Sequence, residues 1–124
     1  MKNINIEGND SSPKVVMDSE RGIIELEGNS YPENTFEFYE PLITWIKEYF
    51  ELHEKTTTTI TFKLKYFNSA TSQVLFDVLD HVQEGKSNNV LVNWHYDKDN
   101  ENGIDDYEDF SEEFGELNIQ AVPN

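Results

Sequence analysis

Two stretches of the chain alternate strictly between apolar and polar residues, which is the period of a β-strand with one buried face. The first runs from residue 59 to 66 and the second from 90 to 96. The side expected to be buried comprises Ile60, Phe62, Leu64, Tyr66, Val90, Val92, Trp94 and Tyr96. A sheet covered on both faces favours continuous apolar runs, so the opposite side should face water. That side includes Thr61, Lys63, Asn93 and His95.

Apolar residues spaced three and four positions apart predict two helices between and around these strands. In the first helix, Leu42, Ile46, Tyr49 and Phe50 form one stripe, and in the second Val74, Leu75, Val78, Leu79 and Val82 do so. Two short apolar runs at residues 14–17 and 22–26 predict a hairpin. An acidic, weakly amphipathic stretch at 97–116 and a last strand at 117–122 complete the order β-β-α-β-α-β-α-β.

This order predicts an α/β protein with a mixed sheet of four to five strands and helices mainly on one face. Residues 1–12 are polar and are expected to be a loose N-terminal segment. Residues 13–124 should form a single domain, because a chain of 124 residues has the usual length of one domain.

The charge of the chain narrows the possible partners. Twenty-five acidic residues against nine basic ones give a formal charge of −16. Such a surface repels phosphate backbones and anionic lipids, so we expect neither nucleic-acid nor membrane binding. The absence of cysteine, of a long apolar segment and of a signal-peptide core leads us to expect a soluble, cytoplasmic protein.

The usual signatures of enzymes are absent from the sequence. The six glycines never form a G-x-G, so neither a dinucleotide fingerprint nor a phosphate-binding loop is present. There is no G-x-S-x-G elbow, and His53, His81 and His95 lack the spacing of metal ligands. We therefore predict that the protein is not an enzyme and uses no metal or cofactor.

A cluster of hydroxyl and amide side chains lies where the first alternating strand meets the second helix, at residues 68–73. One interpretation is structural: Ser69 caps the helix by accepting a hydrogen bond from a free backbone N–H. The other is functional: Ser69 is phosphorylated, because a helix N-terminus tolerates a phosphate.

Two further stretches each allow two interpretations. From Asp97 to Glu108 the acids are spaced almost as in a calcium loop, but the required glycine is one position late, at Gly103. The alternative there is an acidic helix start. Lys63, Lys65 and His95 share the open face as a rare basic spot, which is either simply solvated or part of a surface for partner docking.

Several motifs resemble those of the SiaC-type regulatory phosphoproteins of bacteria, over nearly the whole chain from about Pro13 to Val122. The matching stretches are Ser30-Tyr31-Pro32-Glu33-Asn34, Tyr66-Phe67-Asn68-Ser69, Phe76-Asp77-Val78-Leu79-Asp80 and Trp94-His95-Tyr96-Asp97. The resemblance implies a fold like that of the STAS domain, the fold of anti-sigma-factor antagonists.

The resemblance also implies a partner switch. A serine/threonine kinase related to anti-sigma factors would phosphorylate the protein and a PP2C-type phosphatase would reverse the reaction. The unphosphorylated form would bind and activate a diguanylate cyclase, which links the switch to cyclic-di-GMP and biofilm behaviour. The family's acceptor is a threonine directly after the asparagine of a Tyr-x-Asn motif, and Ser69 occupies that position here.

Ser69 is therefore the predicted phosphorylation site, with Thr71 and Ser72 as alternatives within one helical turn. The predicted partner-binding residues are Tyr31, Glu33, Asn34, Asn68, Ser69, Ser72 and His95. The alternative function is an acidic protein-binding module that does not switch, with calcium dependence through residues 97–108 as an option.

Overall fold

A computed structural model describes residues 1–53, 56–85 and 89–124, apart from the side chain of Glu101. Its six strands are β1 (Ile4–Ile6), β2 (Lys14–Asp18), β3 (Ile23–Ser30), β4 (Thr58–Phe67), β5 (Val90–Tyr96) and β6 (Asn118–Pro123). Its three helices are α1 (Thr35–Leu52), α2 (Ser69–Glu84) and α3 (Glu101–Glu113). In this part of the chain no helix is long and apolar enough to cross a membrane.

The six strands form one mixed sheet in the order β1-β2-β3-β4-β5-β6. The first three strands are antiparallel, and β3 to β6 are parallel to one another. Each parallel neighbour is reached through one helix, and such crossovers are almost always right-handed. Because every crossover moves in the same direction across the sheet, α1, α2 and α3 all lie on one face. The predicted α/β class and the placement of the helices are confirmed.

The core lies between this face and the helices. The strands contribute Val15, Met17, Ile24, Leu26, Ile60, Phe62, Val92, Trp94 and Ile119. The predicted stripes of the helices pack against them, together with Tyr39 and Trp45 on α1, and only Val74 of these stripes is half-buried. The rings of Phe76 on α2 and Phe110 on α3 stack with centroids 4.3 Å apart, which joins the last helix to the same core.

The strand β1 is absent from the predicted order and lies in the segment expected to be loose. It pairs antiparallel with β2, with Ile4 opposite Met17. The Trp45 indole N–H on α1 donates a hydrogen bond of 2.8 Å to the backbone oxygen of Lys2, just before the strand. A strand of three residues is too short to show a periodic pattern in the sequence. β1 can therefore be recognised only from its contacts in the folded chain.

The prediction that Tyr66 is buried is wrong, because the register between β3 and β4 shifts. Gly28 lies opposite Leu64, but the next residue, Asn29, lies opposite Tyr66. One extra residue on β4, Lys65, reverses the side on which the following residues lie. Tyr66 is consequently 56% exposed, whereas Phe67 packs against the core.

The other residues of the two alternating strands lie on the predicted sides of the sheet, but they differ in how far they are buried. Ile60, Phe62, Val92 and Trp94 are buried, and Leu64, Val90 and Tyr96 are half-buried. On the opposite side Lys63 is exposed, while Thr61, Asn93 and His95 are half-buried. Central strands flank these three side chains, so they lose part of their exposure without being covered by a helix.

Candidate functional site

The carboxyl ends of the parallel strands and the starts of the helices that follow them meet at one edge of the molecule. Tyr31 follows β3, Asn68 follows β4 and Asp97 follows β5. In a parallel sheet these ends lie side by side, and ligands of α/β proteins bind at this edge. Three of the motifs that carry the resemblance, those at residues 30–34, 66–69 and 94–97, are thereby brought to one surface.

The capping interpretation made Ser69 the N-cap of α2, but in the structure a different residue caps this helix. The N-cap is Asn68, whose side-chain oxygen accepts a hydrogen bond of 2.9 Å from the Thr71 N–H. Ser69 is the first residue of the helix proper and is exposed. The Ser69 hydroxyl is therefore not needed to begin the helix, and it is accessible to another protein.

The three hydroxyl residues of this turn differ sharply in accessibility. Thr71 is completely buried, with 0% of its surface exposed, whereas Ser72 is half-buried. The first turn of α2 contains no acidic residue. Of the three candidate acceptors, Ser69 alone combines exposure with a position at the positive end of the helix dipole.

A buried chain of hydroxyl groups holds this turn against the sheet. The Thr71 hydroxyl donates to the backbone oxygen of Ser30 at 2.9 Å and lies 3.0 Å from the Ser30 hydroxyl oxygen. Tyr39 Oη lies 2.7 Å from the same Ser30 hydroxyl oxygen. Since Thr71 donates its proton to the backbone, every group is satisfied if Tyr39 donates to Ser30 and Ser30 to Thr71.

Burial affects the acidity of this chain of hydroxyls. Desolvation raises the pKa of Tyr39 to about 12, although the hydrogen bond with Ser30 works in the opposite direction. Tyr39 therefore remains protonated and can act as a donor at neutral pH. The sequence does not identify Ser30 and Tyr39 as residues that position the first turn of α2. A hydroxyl group among apolar residues has no recognisable role in a sequence until its hydrogen-bond partner is known.

An exposed aromatic pair lies at the same edge. The rings of Tyr31 and Tyr66 meet edge to face with centroids 5.6 Å apart, and 39% and 56% of their surfaces are exposed. Glu33 is exposed as well. Asn34 is the N-cap of α1, and its Oδ1 accepts a hydrogen bond of 3.0 Å from the Glu37 N–H.

His95 lies on β5 at the rim of a cavity of about 820 Å³. Its Nδ1 is 3.1 Å from Asn124 Oδ1. Lys63 and Lys65 line the same cavity, so the basic spot predicted from the sequence is a real surface feature.

The stretch resembling a calcium loop is folded differently. Asp97 Oδ1 accepts a hydrogen bond from the Asp99 N–H, and α3 begins at Glu101 with Asn100 as its N-cap. Asp105 and Glu108 consequently lie on the helix. Among the residues that the structure describes, no group of three or more acidic or histidine side chains is arranged to hold a metal ion.

The geometry of this edge agrees with the comparisons to known proteins. A family model described as SiaC family regulatory phosphoprotein matches residues 6–124. The chain belongs to the SiaC family. An uncharacterized protein of Pseudomonas aeruginosa (strain UCBPP-PA14) is 30% identical over 115 residues, which are 91% of this chain and 90% of that protein.

Solved structures of SiaC share the fold. Apo-SiaC of Pseudomonas aeruginosa is 26% identical, with a TM-score of 0.89 and 98% of each chain covered. SiaC in the crystal structure of the diguanylate cyclase SiaD in complex with its activator SiaC gives a TM-score of 0.90 at 26% identity, with 98% of this chain and 99% of that one covered. The resemblance stated from the motifs is therefore confirmed at the level of family and fold.

Proposed function

We propose that this SiaC family member is a non-catalytic regulator whose unphosphorylated form binds and activates a diguanylate cyclase. A serine/threonine kinase adds a phosphate to Ser69, and a PP2C-type phosphatase removes it. The proposal places the chain in the cytoplasm, where the ATP and GTP that such a kinase and cyclase consume are found. The solved complex of SiaD with its activator SiaC supports the choice of output partner.

The position of Ser69 carries the proposal. It is the exposed first residue of α2, it follows the capping asparagine, and the hydroxyl chain below it fixes the turn. Thr71 is a poor acceptor, because a kinase would have to extract a fully buried hydroxyl that already makes hydrogen bonds. Ser72 remains the alternative acceptor.

The effect of the phosphate follows from its charge. It adds about −1.5 to −2 charges at one point, and the backbone N–H groups of a helix start can hold it without unfolding the domain. A partner surface fitted to a neutral hydroxyl would instead meet a desolvated dianion. A penalty of about 3 kcal/mol would weaken binding about a hundredfold.

The acceptor is tested with the kinase and ATP, followed by mass spectrometry of the modified peptide. We expect one phosphate on Ser69 in the wild type and in Ser72→Ala, and none in Ser69→Ala. Ser72→Ala is the matched control, because it removes a hydroxyl within the same turn. Phosphate retained by Ser69→Ala on Ser72 or Thr71 would show that the site is assigned wrongly.

The output is tested by calorimetry and by cyclic-di-GMP synthesis with a diguanylate cyclase from the same organism. Ser69→Ala should bind the cyclase and stimulate synthesis, with or without kinase treatment. Ser69→Asp and the phosphorylated wild type should bind about a hundredfold more weakly at an unchanged melting temperature. Equal binding by Ser69→Ala, Ser69→Asp and the phosphorylated and unphosphorylated wild type would refute the switch.

A further inference from the structure

The cavity that Phe67 lines, two residues before Ser69 in the chain, has a composition that the phosphorylation switch by itself does not explain. It is lined mainly by residues 63–67 of β4, by residues 94–97 at the end of β5 and by residues at the start of α3. Exposed Tyr66 and half-buried Phe67 and Tyr96 supply aromatic walls. A volume of about 820 Å³ is enough for several side chains of a partner segment.

Two ammonium groups project from one strand of this cavity. Lys63 and Lys65 are both exposed, and neither makes an ion pair within 4.0 Å with any residue in the described ranges. Lys63 has Glu27 beside it in the register of β3 and β4. Lys65 is the extra residue at the register shift, so no residue of β3 lies opposite it.

For its size the cavity carries about half as much negative charge as the chain as a whole. Its two lysines and its three acids, Glu27, Asp97 and Asp106, leave a formal charge of −1 with His95 neutral. The whole chain carries −16. The two exposed lysines are therefore the groups of this cavity that can attract carboxylates of a partner.

We propose that this cavity receives an acidic segment of the output protein that also carries an apolar side chain. Carboxylates of the segment pair with Lys63 and Lys65, and the apolar side chain packs among Tyr66, Phe67 and Tyr96. Tyrosines in such positions are typical anchors of protein interfaces. The proposal rests on the proposed function, because it assigns a surface and a chemistry to the partner of the same switch.

The location of the cavity explains why a phosphate would release this partner. Phe67 lines the cavity, and Ser69 follows it by two residues, so their Cα atoms are at most about 7.6 Å apart. That distance is about one Debye length at physiological salt. A phosphate on Ser69 would therefore repel an acidic segment bound in the cavity.

Charge reversal tests the lysines. We compare Lys63→Glu/Lys65→Glu with Lys47→Glu, in which an exposed lysine on α1 outside the cavity is reversed. The probe is the diguanylate cyclase used above, titrated by calorimetry at about 50 and 200 mM salt. We expect the double variant to raise Kd at least about tenfold at the lower salt concentration, with Lys47→Glu within about twofold of the wild type. The salt dependence should also reverse in the double variant, because its glutamates repel the acidic segment and salt screens this repulsion.

A second measurement does not depend on the folding of a variant. Acetic anhydride labels exposed lysines of the wild-type protein, and mass spectrometry compares the free protein with its complex. We expect Lys63 and Lys65 to be protected by the cyclase and Lys47 to be labelled equally in both.

The outcomes separate the two proposals. If phosphorylation of Ser69 releases the cyclase but charge reversal and labelling show no effect, the cavity assignment is wrong and the proposed function stands. Tighter binding of the double variant would mean a basic partner segment and would equally overturn the assignment. Failure of the unphosphorylated wild type to bind the cyclase would overturn both.

Discussion

The Thr71 hydroxyl donates a hydrogen bond of 2.9 Å to the backbone oxygen of Ser30, although the two residues are 41 positions apart in the chain. The same Ser30 oxygen accepts from the Asn68 N–H at 3.2 Å. The end of β3 and the first turn of α2 are thus held together by two hydrogen bonds to one atom. Ser69 lies between Asn68 and Thr71, which form these two bonds, so the phosphorylation proposed above would alter the surface without breaking either of them.

Replacing Thr71 should destabilise the protein more than replacing its neighbour. Thr71→Val removes the hydroxyl that donates to Ser30 O and contacts Ser30 Oγ. The buried Ser30 hydroxyl then has no acceptor for its proton, and Ser30 O keeps only the Asn68 N–H. We expect a loss of about 1–3 kcal/mol in urea denaturation. Ser72→Ala is the control and should change stability by less than about 0.5 kcal/mol. Equal stability of the two variants would show that the hydroxyl chain contributes nothing.

The hydroxyl chain should also give the protein a characteristic response to alkaline pH. The folded state raises the pKa of Tyr39 from 10.0 to about 12, so the folded protein holds this proton more tightly than the unfolded chain. The resulting stability is complete below pH 10 and is lost as the pH rises toward 12. Since one pKa unit corresponds to about 1.4 kcal/mol, a loss of about 1 kcal/mol is expected by about pH 11.

Tyr39→Phe isolates this effect, because the other tyrosines are common to both proteins. At about pH 8 the variant should be about 1 kcal/mol less stable than the wild type, since Ser30 loses a hydrogen-bond partner. The difference should shrink on raising the pH to about 11. A difference in unfolding free energy that stays constant over this range would contradict the assigned environment of Tyr39.

Gly28 should be sensitive to substitution at the register shift. Its φ is 112°, a backbone conformation that residues with a side chain rarely adopt, although no atom lies within 4 Å of an added Cβ. Gly28→Ala should therefore cost about 1–3 kcal/mol through backbone strain alone. Gly115→Ala is a matched control, because its Cβ also meets nothing within 4 Å and its φ lies outside the positive range. Urea denaturation of both variants gives the comparison.

Asp106 should reduce stability at neutral pH. Burial, followed by the charges of Asp109 and Asp105, raises the pKa of its carboxyl group above the ordinary 3.8. Its ionised form is therefore less favourable in the folded protein, and its contribution to stability is lost as the pH rises through the raised pKa. Asp106→Asn removes this effect.

Thermal melts measure the gain from Asp106→Asn against Glu112→Gln, which removes an exposed charge on the same helix. At about pH 7 we expect Asp106→Asn to melt about 1–2 °C higher than the control variant. As the pH falls below the ordinary value of 3.8 this advantage should disappear, because Asp106 is then protonated in both the folded and the unfolded state. An advantage independent of pH would indicate a cause other than ionisation.

The sequence predicts the class of the fold because the signals for it are local. A stripe such as Leu42, Ile46 and Tyr49 needs only the helical period, and an alternation such as Ile60 and Phe62 needs only the pleat of a strand. The order of these elements then leaves few possible topologies. The motifs around Tyr31, Asn68 and Trp94 are local in the same sense, and they were sufficient to identify the family.

Tertiary structure decided which individual side chains are accessible, because accessibility depends on neighbours that are distant in the chain. The alternation in the sequence predicts that Tyr66 is buried. A one-residue register shift against β3 exposes Tyr66, and Phe67 packs against the core instead. Ser69 and Thr71 are nearly equivalent hydroxyls in the sequence. Only the packing of α2 on the end of β3 buries Thr71 and leaves Ser69 at the surface. Ser30, whose hydroxyl also bonds to Tyr39, forms hydrogen bonds with Thr71.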